Sequence, residues 1–339
     1  MAARGHEITL LAPRESRIFR EALQRELKVL AVPIGRKNLR GLAAMRRALG
    51  AQRFDVINSH SSTDTWLAAL ASKTLRHAPA LVRTRHISAK VPDNAPTRWL
   101  YGRATRHIVT TGEQLRGELI RELRIPEARI TSVPTGIDSV VFAPGDRTAM
   151  RQALKLPRDL TLIGIVATMR SWKGHRNLIE AFRKMARPEC GLVIVGDGPQ
   201  RQTITNLVES LGLKARVWFA GDQENVVPWL QALDVFALPS YANEGVPQAL
   251  IQAMLCALPC VTTTIGAISE AAVAGQTAVI VAPEDATELA RALDLLAGDW
   301  NLRQRLGRAA REHCEQRFGF QQMLDRMEAV FDSVVRERR

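Results

Sequence analysis

The chain has 339 residues, which is enough for two domains of ordinary size. Its hydrophobic fraction of 46% and charged fraction of 24% are those of a soluble globular protein. No run of about 18 uninterrupted apolar residues occurs, which excludes a membrane-spanning helix. The amino terminus lacks the apolar core of a secretory signal, so a cytoplasmic location is expected.

The net charge of +13 is concentrated in the first half of the chain. Residues 1–140 hold 24 Lys and Arg against 12 Asp and Glu, a net charge of +12, which leaves +1 for residues 141–339. Such asymmetry suits an anionic partner, such as a phospholipid surface, a phosphorylated glycolipid or a nucleic acid. Nucleic acid is disfavoured because aromatic residues make up only 5% and do not alternate with basic ones.

The first half, residues 1–142, is predicted to be an α/β domain with the doubly wound pattern. Its strand-like runs are Ile8–Leu11, Val29–Ala31, Val56–Ile57, Ala80–Arg83, His107–Val109 and Ile130–Val133. Because a doubly wound domain opens with a buried strand, and Ile8 starts what resembles the second one, the first strand is expected to be missing.

The segment 36–49 predicts a helix with apolar residues on one face and basic residues on the rest. The apolar face carries Leu39, Leu42, Met45 and Leu49. Two interpretations stay open. The helix could lie on an anionic bilayer, which would make the protein peripheral on the inner face of the plasma membrane. Alternatively it could pack on the core with its basic face in solvent.

Residues 143–158 are predicted to be an interdomain linker because they are rich in helix breakers, and residues 159–318 a second domain. The second domain alternates short apolar runs with helical patterns, which indicates an α/β fold with a parallel sheet covered on both faces. Its predicted strands are Leu162–Ala167, Leu192–Val195, Val217–Phe219, Val235–Ala237, Cys260–Thr263 and Val279–Val281. Its predicted helices include Asn177–Ala186, Gln200–Leu211, Val226–Leu233, Pro247–Ala257 and Ala286–Ala297.

The turn after the first strand of the second domain carries two cations, Arg170 and Lys173. Turns at the carboxyl ends of strands are where open α/β sheets bind ligands. Arginine could meet a diphosphate with a forked pair of hydrogen bonds, and lysine as a point charge. Alone, the same turn could equally be a solvated surface loop.

The segment Pro239–Met254 is the second motif. Pro247 suits the first helical position, so that the N–H groups of Gly245 and Val246 would point out of the helix start, an end that attracts phosphate. Glu244 would place a carboxylate beside that phosphate site, where a sugar hydroxyl could donate to it. The alternative is an ordinary capped helix.

With these segments the chain resembles glycosyltransferase family 4, the retaining enzymes with the GT-B fold, over nearly its whole length. The resemblance rests on segments in family order: Gly136–Asp138, Lys173-Gly174, Val195–Pro199, Trp218–Gly221, Ala232–Ser240, Glu244–Pro247 and Gly266–Glu270. It implies two doubly wound Rossmann-like domains that face each other across a cleft, with residues 1–142 on the acceptor side and residues 159–318 as the nucleotide-sugar donor domain. It also implies a final helix, residues 319–339, that crosses back onto the first domain.

The resemblance also implies roles for residues of the second domain. Lys173 is similar to the family lysine that holds the donor diphosphate, whereas the family arginine position is Thr168, so Arg170 is a substitute. Glu244 resembles the glutamate that contacts the donor sugar, and Gln252 stands at a second glutamate position, which weakens ribose contact. Gly221 and Asp222 are similar in position to residues near the nucleobase.

In the first half, His86 follows a strand and resembles the family histidine near the reacting sugar. It is assigned a role beside Glu244 at the reacting centre, although a lone histidine could be structural and a general base is not implied. His60, at another strand end, is left open between a functional and a structural role.

Neither a metal site nor a cofactor is expected. The chain has no Asp-x-Asp triplet for Mg²⁺, and its four cysteines lack metal-ligand spacing, so they are interpreted as reduced core thiols: Cys190, Cys256, Cys260 and Cys314. The donor is expected to be a nucleoside diphosphate sugar, with UDP favoured over GDP, and the acceptor a cell-surface glycan or a lipid-linked molecule. Lys173, Arg170 and the helix start at Gly245 would meet the charge of the leaving group.

Two alternatives remain at this stage. A nucleotide-sugar epimerase would share the architecture, although the Glu244–Pro247 run favours transfer. An inactive or donor-binding remnant is the other, since nothing here matches the family's glycine-rich loop after the first strand. Low or absent turnover is therefore expected of the 339-residue form.

Overall fold

The computed structural model describes residues 1–86 and 91–337. It divides into two compact units, the first formed by Met1–Pro134 with Met323–Arg339 and the second by Thr135–Gln322. Doubly wound sheets are built from parallel strands. Every pair of neighbouring strands in either unit is parallel.

Among the described residues, the first unit contains six strands in two sheets. All six predicted strands are confirmed within two residues at each end: Thr9–Ala12 (β1), Lys28–Ala31 (β2), Val56–Ser59 (β3), Ala80–Arg85 (β4), His107–Thr110 (β5) and Ile130–Ser132 (β6). Strands β1 and β2 form one sheet, and β3-β4-β5-β6 form the other in that order. No hydrogen bonds join the backbones of β1 and β3 in the part of the chain that the structure describes.

Within residues 1–86 and 91–134, five α-helices accompany these strands, and the second of them resolves a question that its sequence left open. Met45 and Leu49 of this helix are buried in the core of the unit, whereas Leu39 is 83% exposed. The apolar stripe is therefore used for packing and is not free to lie on a bilayer. The five helices are Arg17–Gln24 (α1), Leu39–Ala51 (α2), Ser62–Ser72 (α3), Ala95–Trp99 (α4) and Glu113–Leu123 (α5).

The second unit is built on one six-stranded parallel sheet. Its predicted strands are also confirmed within two residues: Thr161–Val166 (β7), Cys190–Val195 (β8), Val217–Gly221 (β9), Val235–Leu238 (β10), Cys260–Thr262 (β11) and Ala278–Ile280 (β12). The strands lie in the order β12-β11-β10-β7-β8-β9. Strands β8 and β10 are completely buried, and β7 is buried except at Thr161, as in sheets with helices on both faces. The four cysteines lie buried and unpaired in this unit, as interpreted from the sequence.

Seven helices belong to the second unit, and the first of them lies in the segment expected to be a linker. Residues 143–158 contain a helix that begins after Asp146, whose side chain accepts a hydrogen bond from the backbone N–H of Ala149. The breakers that suggested a linker therefore precede a helix start. The seven are Arg147–Ala153 (α6), His175–Lys184 (α7), Arg201–Ser210 (α8), Val227–Ala232 (α9), Gln248–Leu255 (α10), Ala286–Gly298 (α11) and Trp300–Phe318 (α12).

The final helix, Phe320–Arg336 (α13), returns to the first unit. Val330 and Val334 are buried on one face of the sheet, in a cluster with Ala80, Val82, Val109 and Val133. Apolar burial on the sheet therefore holds this helix in place. Among the described helices, none combines the length and apolarity needed to cross a bilayer.

Candidate functional site

The carboxyl ends of β7 and β10 form the switch point of the second unit. From β7 the chain moves to β8 and β9 on one side, and then returns to β10 on the other side of β7. Loops that leave two such neighbouring strands diverge and open a crevice, which is where open α/β sheets bind ligands. The loop after β7 carries Lys173, and the loop after β10 carries Glu244.

Close backbone contact joins these two loops. The N–H of Tyr241 donates to the carbonyl of Trp172 at 2.9 Å. Gly174 adopts a φ of +77°, and a Cβ atom there would lie 2.0 Å from the carbonyl oxygen of Pro239. Only glycine fits at this position, so the close approach of the two loops requires Gly174 directly after Lys173.

Lys173 and Glu244 form a partly buried ion pair. The Nζ atom of Lys173 lies 2.7 Å from Oε1 and 3.0 Å from Oε2 of Glu244, whose side chain is only 4% exposed. The hydroxyl of Ser240 also donates to Oε1, at 2.6 Å. Because a buried carboxylate needs charge and hydrogen-bond partners, these contacts stabilise the side chain of Glu244 in its buried position and orient it.

The backbone of Glu244 is fixed by a third loop, which follows β11. The N–H of Ala267 donates to the carbonyl of Glu244 at 3.3 Å. Gly266 adopts a φ of +59°, and a Cβ atom there would lie 2.0 Å from that carbonyl oxygen. Sequence reasoning missed the supporting roles of Ser240 and Gly266. Both stand in motifs that carried the resemblance, but their contacts depend on which strands are neighbours.

Two helices begin at this edge of the sheet without a side-chain cap. Helix α7 starts after Gly174, and α10 starts after Pro247. Pro247 is the residue before the first helical position, not that position itself, because its ψ of 117° is extended. Uncapped N–H groups and the helix dipole give both ends a positive potential, so both favour an anion.

The other predicted binding residues lie at the same edge or on its helices but make different contacts. Arg170 is exposed, and its guanidinium lies 5.3 Å from the centroid of the Trp172 ring. Its side chain therefore contacts that ring and does not converge with Lys173 on the Glu244 carboxylate. Gly221 ends β9 with a φ of +71°, and its carbonyl accepts from the N–H of Gly196 at 2.8 Å.

Three further predicted residues lie around the start of α10 and the end of β9. Val246 packs partly on the core, Gln252 is half-buried in the second turn of α10, and Asp222 is exposed.

Sequence reasoning also missed His175, the first residue of α7, which is 2% exposed. Its burial, with Lys173 nearby, lowers the pKa of His175 to about 4, so this imidazole is neutral.

In the first unit, His86 and His60 form a pair at the carboxyl ends of β4 and β3. Nε2 of His86 lies 2.9 Å from Nδ1 of His60, and the rings stack with centroids 5.3 Å apart. Asp64 accepts hydrogen bonds from the backbone N–H groups of His60 and Ser61. Burial lowers the pKa of both imidazoles. Residues 87–90, which continue the His86 segment, lie outside the described residues.

Two family models match the chain, and together they cover most of it. The model described as Glycosyltransferase Family 4 matches residues 1–141, and the model described as Glycosyl transferases group 1 matches residues 146–313. Both the Lys173 loop and the Glu244 loop lie inside the second match.

Curated relatives agree with the family models. The chain is 27% identical over 350 residues to the N-acetyl-alpha-D-glucosaminyl L-malate synthase of Bacillus anthracis, covering 99% of this chain and 92% of that protein. It is 30% identical over 310 residues to the D-inositol 3-phosphate glycosyltransferase of Mycolicibacterium paratuberculosis, covering 84% of this chain and 68% of that protein.

Solved structures show the same fold at low identity. A glycosyltransferase from Rickettsia africae matches with a TM-score of 0.90 at 18% identity, covering 98% of this chain and 92% of that one. Anabaena Alr3699/HepE in complex with UDP matches with a TM-score of 0.86 at 18% identity, covering 96% and 92%. The chain therefore belongs to glycosyltransferase family 4 and is a glycosyltransferase with the GT-B fold.

Proposed function

We propose that this enzyme transfers a sugar from a nucleoside diphosphate sugar, with UDP favoured over GDP, to a hydroxyl of a cell-surface glycan or lipid-linked acceptor. Transfer proceeds with retention at the anomeric carbon. The observation that carries the proposal is the Lys173–Glu244 pair at the switch point, between two uncapped helix starts. The UDP complex of Anabaena Alr3699/HepE, which has the same fold, supports the choice of nucleotide.

In this proposal Lys173 changes partner when the donor binds. The diphosphate takes the ammonium group, and the N–H groups of Gly245 and Val246 at the start of α10 meet its oxygens. Glu244, still held by Ser240, accepts from a hydroxyl of the donor sugar. Gly221 and Asp222 lie near the base, Gln252 bonds the ribose, and Arg170 adds a cation at the rim.

The charge of the leaving group is met by Lys173, Arg170 and the two helix starts, and no divalent cation is needed. For His86 we propose a role near the reacting sugar, with His60 holding its ring. Turnover that persists unchanged in excess EDTA would support this arrangement. Loss of turnover in EDTA, restored by Mg²⁺, would overturn it.

Calorimetric titration with UDP and GDP tests the donor site. Lys173→Met should weaken UDP binding by roughly tenfold or more, because a charged contact is worth about 1.5–3 kcal/mol. Lys184→Met is the matched control, since Lys184 lies at the far end of α7 and contacts Thr287. Because Lys173→Met leaves Glu244 buried without its cation, the pair Lys173→Met with Glu244→Gln is titrated as well.

Gly245→Ala gives a second, steric test. A Cβ atom at Gly245 would meet nothing within 4 Å, so this substitution should leave folding intact. If a phosphate sits against this backbone, the added methyl group should weaken UDP binding while thermal stability stays the same. Gly102→Ala, which is equally open, is the control. Unchanged UDP affinity in both variants would rule out phosphate contact at Gly245.

The reaction itself is tested by following the donor and its product by NMR. Retention predicts that the anomeric configuration of the transferred sugar equals that of the donor. An epimerase would instead release a new free or nucleotide-linked sugar without any acceptor.

We also propose that the basic first unit faces an anionic membrane surface. Its support is electrostatic: Arg36, Lys37, Arg40, Arg46 and Arg47 are exposed around α2, and each basic residue near such a surface contributes about 1 kcal/mol. Sedimentation with phosphatidylglycerol vesicles at two salt concentrations tests it. Arg36→Gln with Arg40→Gln should reduce binding, whereas Arg305→Gln with Arg308→Gln, exposed in the second unit, should not. Equal binding to neutral phosphatidylcholine vesicles would contradict the proposal.

A further inference from the structure

Two arginines at the end of β4 are buried, and their charges are close together. Arg83 is 6% exposed and Arg85 is 7% exposed. Both stand on the face of the strand that also carries Leu81, because side chains two residues apart share a face. Arginine is rarely buried to this degree unless its charge is compensated.

Tyr101 contacts the guanidinium groups of both arginines. The guanidinium of Arg83 lies over the ring of Tyr101, 4.5 Å from its centroid, and Nη1 of Arg85 donates to the hydroxyl oxygen of Tyr101 at 3.0 Å. Tyr101 is itself 2% exposed, so the ring is a fixed surface and not a mobile cover. A cation over a tyrosine ring is stabilised by less than the desolvation of a buried charge costs.

Within the described part of the chain, Arg83 makes no hydrogen bond or ion pair through its guanidinium. Asp64 attracts it from beyond ion-pair distance, but that carboxylate already accepts from the N–H groups of His60 and Ser61. The nitrogen atoms of Arg83 are not among the fully enclosed unpartnered atoms of the described residues, so part of its small exposed area lies on the guanidinium group. A fork of donors is therefore almost fully buried, and among the described residues only the Tyr101 ring and the more distant Asp64 carboxylate stabilise its charge.

The guanidinium group of Arg83 lies near the carboxyl end of β4, where a substrate could bind. Arg83 pairs in register with Ser59 of β3 and Ile108 of β5, and the strand ends at Arg85. The next residue is His86, which pairs with His60. Ligands of parallel sheets bind at this end of the strands.

We infer that Arg83, beside Arg85 and Tyr101, binds an anionic oxygen group, phosphate or carboxylate, on the acceptor substrate. The inference rests on the proposed function, because it places the acceptor at the first unit. The guanidinium fork matches the spacing of two oxygens of either group. The positive charge of Arg85 is near enough to act on Arg83 and would add to the attraction for an anion. A soluble acceptor and a lipid headgroup could both supply this group, and the test separates them.

The test titrates the purified full chain with glycerol 3-phosphate, and with glycerol as the neutral match. Arg83→Gln should weaken glycerol 3-phosphate binding at least tenfold, and Arg83→Lys, which keeps the charge but not the fork, should be intermediate. Arg76→Gln removes the same charge from an exposed site in the same unit, and should bind as the unchanged protein does. Glycerol should not bind.

A second measurement does not depend on the variants folding. In the unsubstituted protein, an NMR signal of one arginine Nε–H group should shift when glycerol 3-phosphate is added, and it should be absent from Arg83→Lys. Vesicles containing phosphatidic acid are the lipid arm. Arg83-dependent binding to them with weak binding of glycerol 3-phosphate assigns the anion to a lipid, and the reverse assigns it to a soluble acceptor.

Equal affinity of Arg83→Gln and Arg76→Gln would overturn the inference, as would phosphate binding that Lys173→Met abolishes and Arg83→Gln does not. UDP is titrated in the same samples, so that a failure of the donor-site proposal can be distinguished from a failure of the Arg83 proposal. Loss of UDP binding with retained glycerol 3-phosphate binding would count against the donor site alone. Retained UDP binding without glycerol 3-phosphate binding would count against the Arg83 site alone.

Discussion

At the scale of single residues, the candidate donor site depends on how one carboxylate is held. The two oxygens of Glu244 accept from an ammonium group and from a hydroxyl, on two different loops. A donor diphosphate that draws Lys173 away leaves Ser240 as the remaining side-chain donor to that carboxylate. The hydroxyl is then what keeps Glu244 oriented during transfer.

Ser240→Ala should therefore reduce kcat/KM by about tenfold while UDP affinity changes little. A hydrogen bond to a charged group is worth about 1.5–3 kcal/mol, and tenfold corresponds to 1.4 kcal/mol. Steady-state kinetics with saturating acceptor checks this. Ser171→Ala, in the exposed part of the Lys173 loop, is the control and should keep full activity. A change in UDP affinity as large as the change in kcat/KM would show that Ser240 acts on the nucleotide instead.

His175 makes the free energy of unfolding depend on pH. Its pKa is about 4 in the folded protein and 6.5 in the unfolded chain. Between these values the unfolded chain binds more protons, so stability is lost as the pH falls from 6.5 towards 4. At pH 5 the loss should be roughly 2 kcal/mol relative to pH 7.5.

Urea unfolding of the full chain and of His175→Leu at pH 7.5 and pH 5 measures this term. Other buried histidines contribute in the same direction, so the quantity compared is the difference between the two proteins. His175→Leu should lose about 2 kcal/mol less than the unsubstituted protein on acidification. Identical losses would show that His175 is protonated without cost in the folded state.

The His60–His86 pair predicts a change in the pH dependence of activity. Removing His60 exposes His86 and brings its lowered pKa back towards the ordinary value for histidine. His60→Ala should therefore move the acidic limb of the kcat/KM profile to higher pH, with a several-fold lower maximum. His77→Ala, an exposed histidine of the same unit, should leave the profile unchanged. An unaltered acidic limb would mean that His86 does not titrate in the reaction.

At the scale of elements, helix α6 shows how a segment is fixed by one buried carboxylate. Asp234 lies at the start of β10 and accepts from Arg151 at 2.5 Å and from the N–H of Leu162 at 2.7 Å, and Arg147 lies 2.9 Å from its other oxygen. The helix is therefore bound to the amino ends of β7 and β10, which are the strands whose carboxyl ends carry Lys173 and Glu244.

Asp234→Asn should destabilise the second unit by about 3–5 kcal/mol, because it leaves Arg151 buried without a countercharge. Urea or thermal unfolding measures the change. Asp159→Asn, an exposed acidic residue nearby, should alter stability by less than about 0.5 kcal/mol. A loss below 1 kcal/mol for Asp234→Asn would mean that the carbonyls of Ala232, Arg158 and Leu160, which also accept from Arg151, satisfy the guanidinium without Asp234.

The strands were predictable because each contains a short apolar run, which is a local property of the sequence. Helix α6 was not, since Pro144, Gly145 and Asp146 read as a linker although Asp146 caps a helix. The Lys173 and Glu244 loops were found from their motifs. Their 2.7 Å contact was beyond sequence reasoning, because it requires β10 to lie beside β7, and sheet order is a long-range property.

At the scale of the whole molecule, the two units differ in how the chain completes them. The second is continuous, whereas the first combines Met1–Pro134 with the segment that begins at Met323. Its final helix covers one face of the β3–β6 sheet with Val330 and Val334. The stability of the first unit therefore depends on residues far away in sequence.

Val330→Ala combined with Val334→Ala should destabilise the first unit by roughly 3–5 kcal/mol, from lost apolar burial and the cavities that remain. Hydrogen exchange followed by mass spectrometry checks the location of the effect. Peptides from β4 and β5 should lose protection, and peptides from β7 and β8 should not. The exposed pair Asp332→Ala with Arg336→Ala on the same helix is the control. Equal loss of protection in both units would show that they unfold as one.

The late position of α13 also sets an order of events during synthesis. Residues 135–322 must all be made before this helix exists, which takes on the order of 10–40 s at ordinary translation rates. For that time Val82, Val109 and Val133 have no cover on the face that Val330 and Val334 will occupy. A nascent chain in this state exposes a row of valines to chaperones and to other chains. The first unit is therefore the first to be synthesised and the last to complete its core.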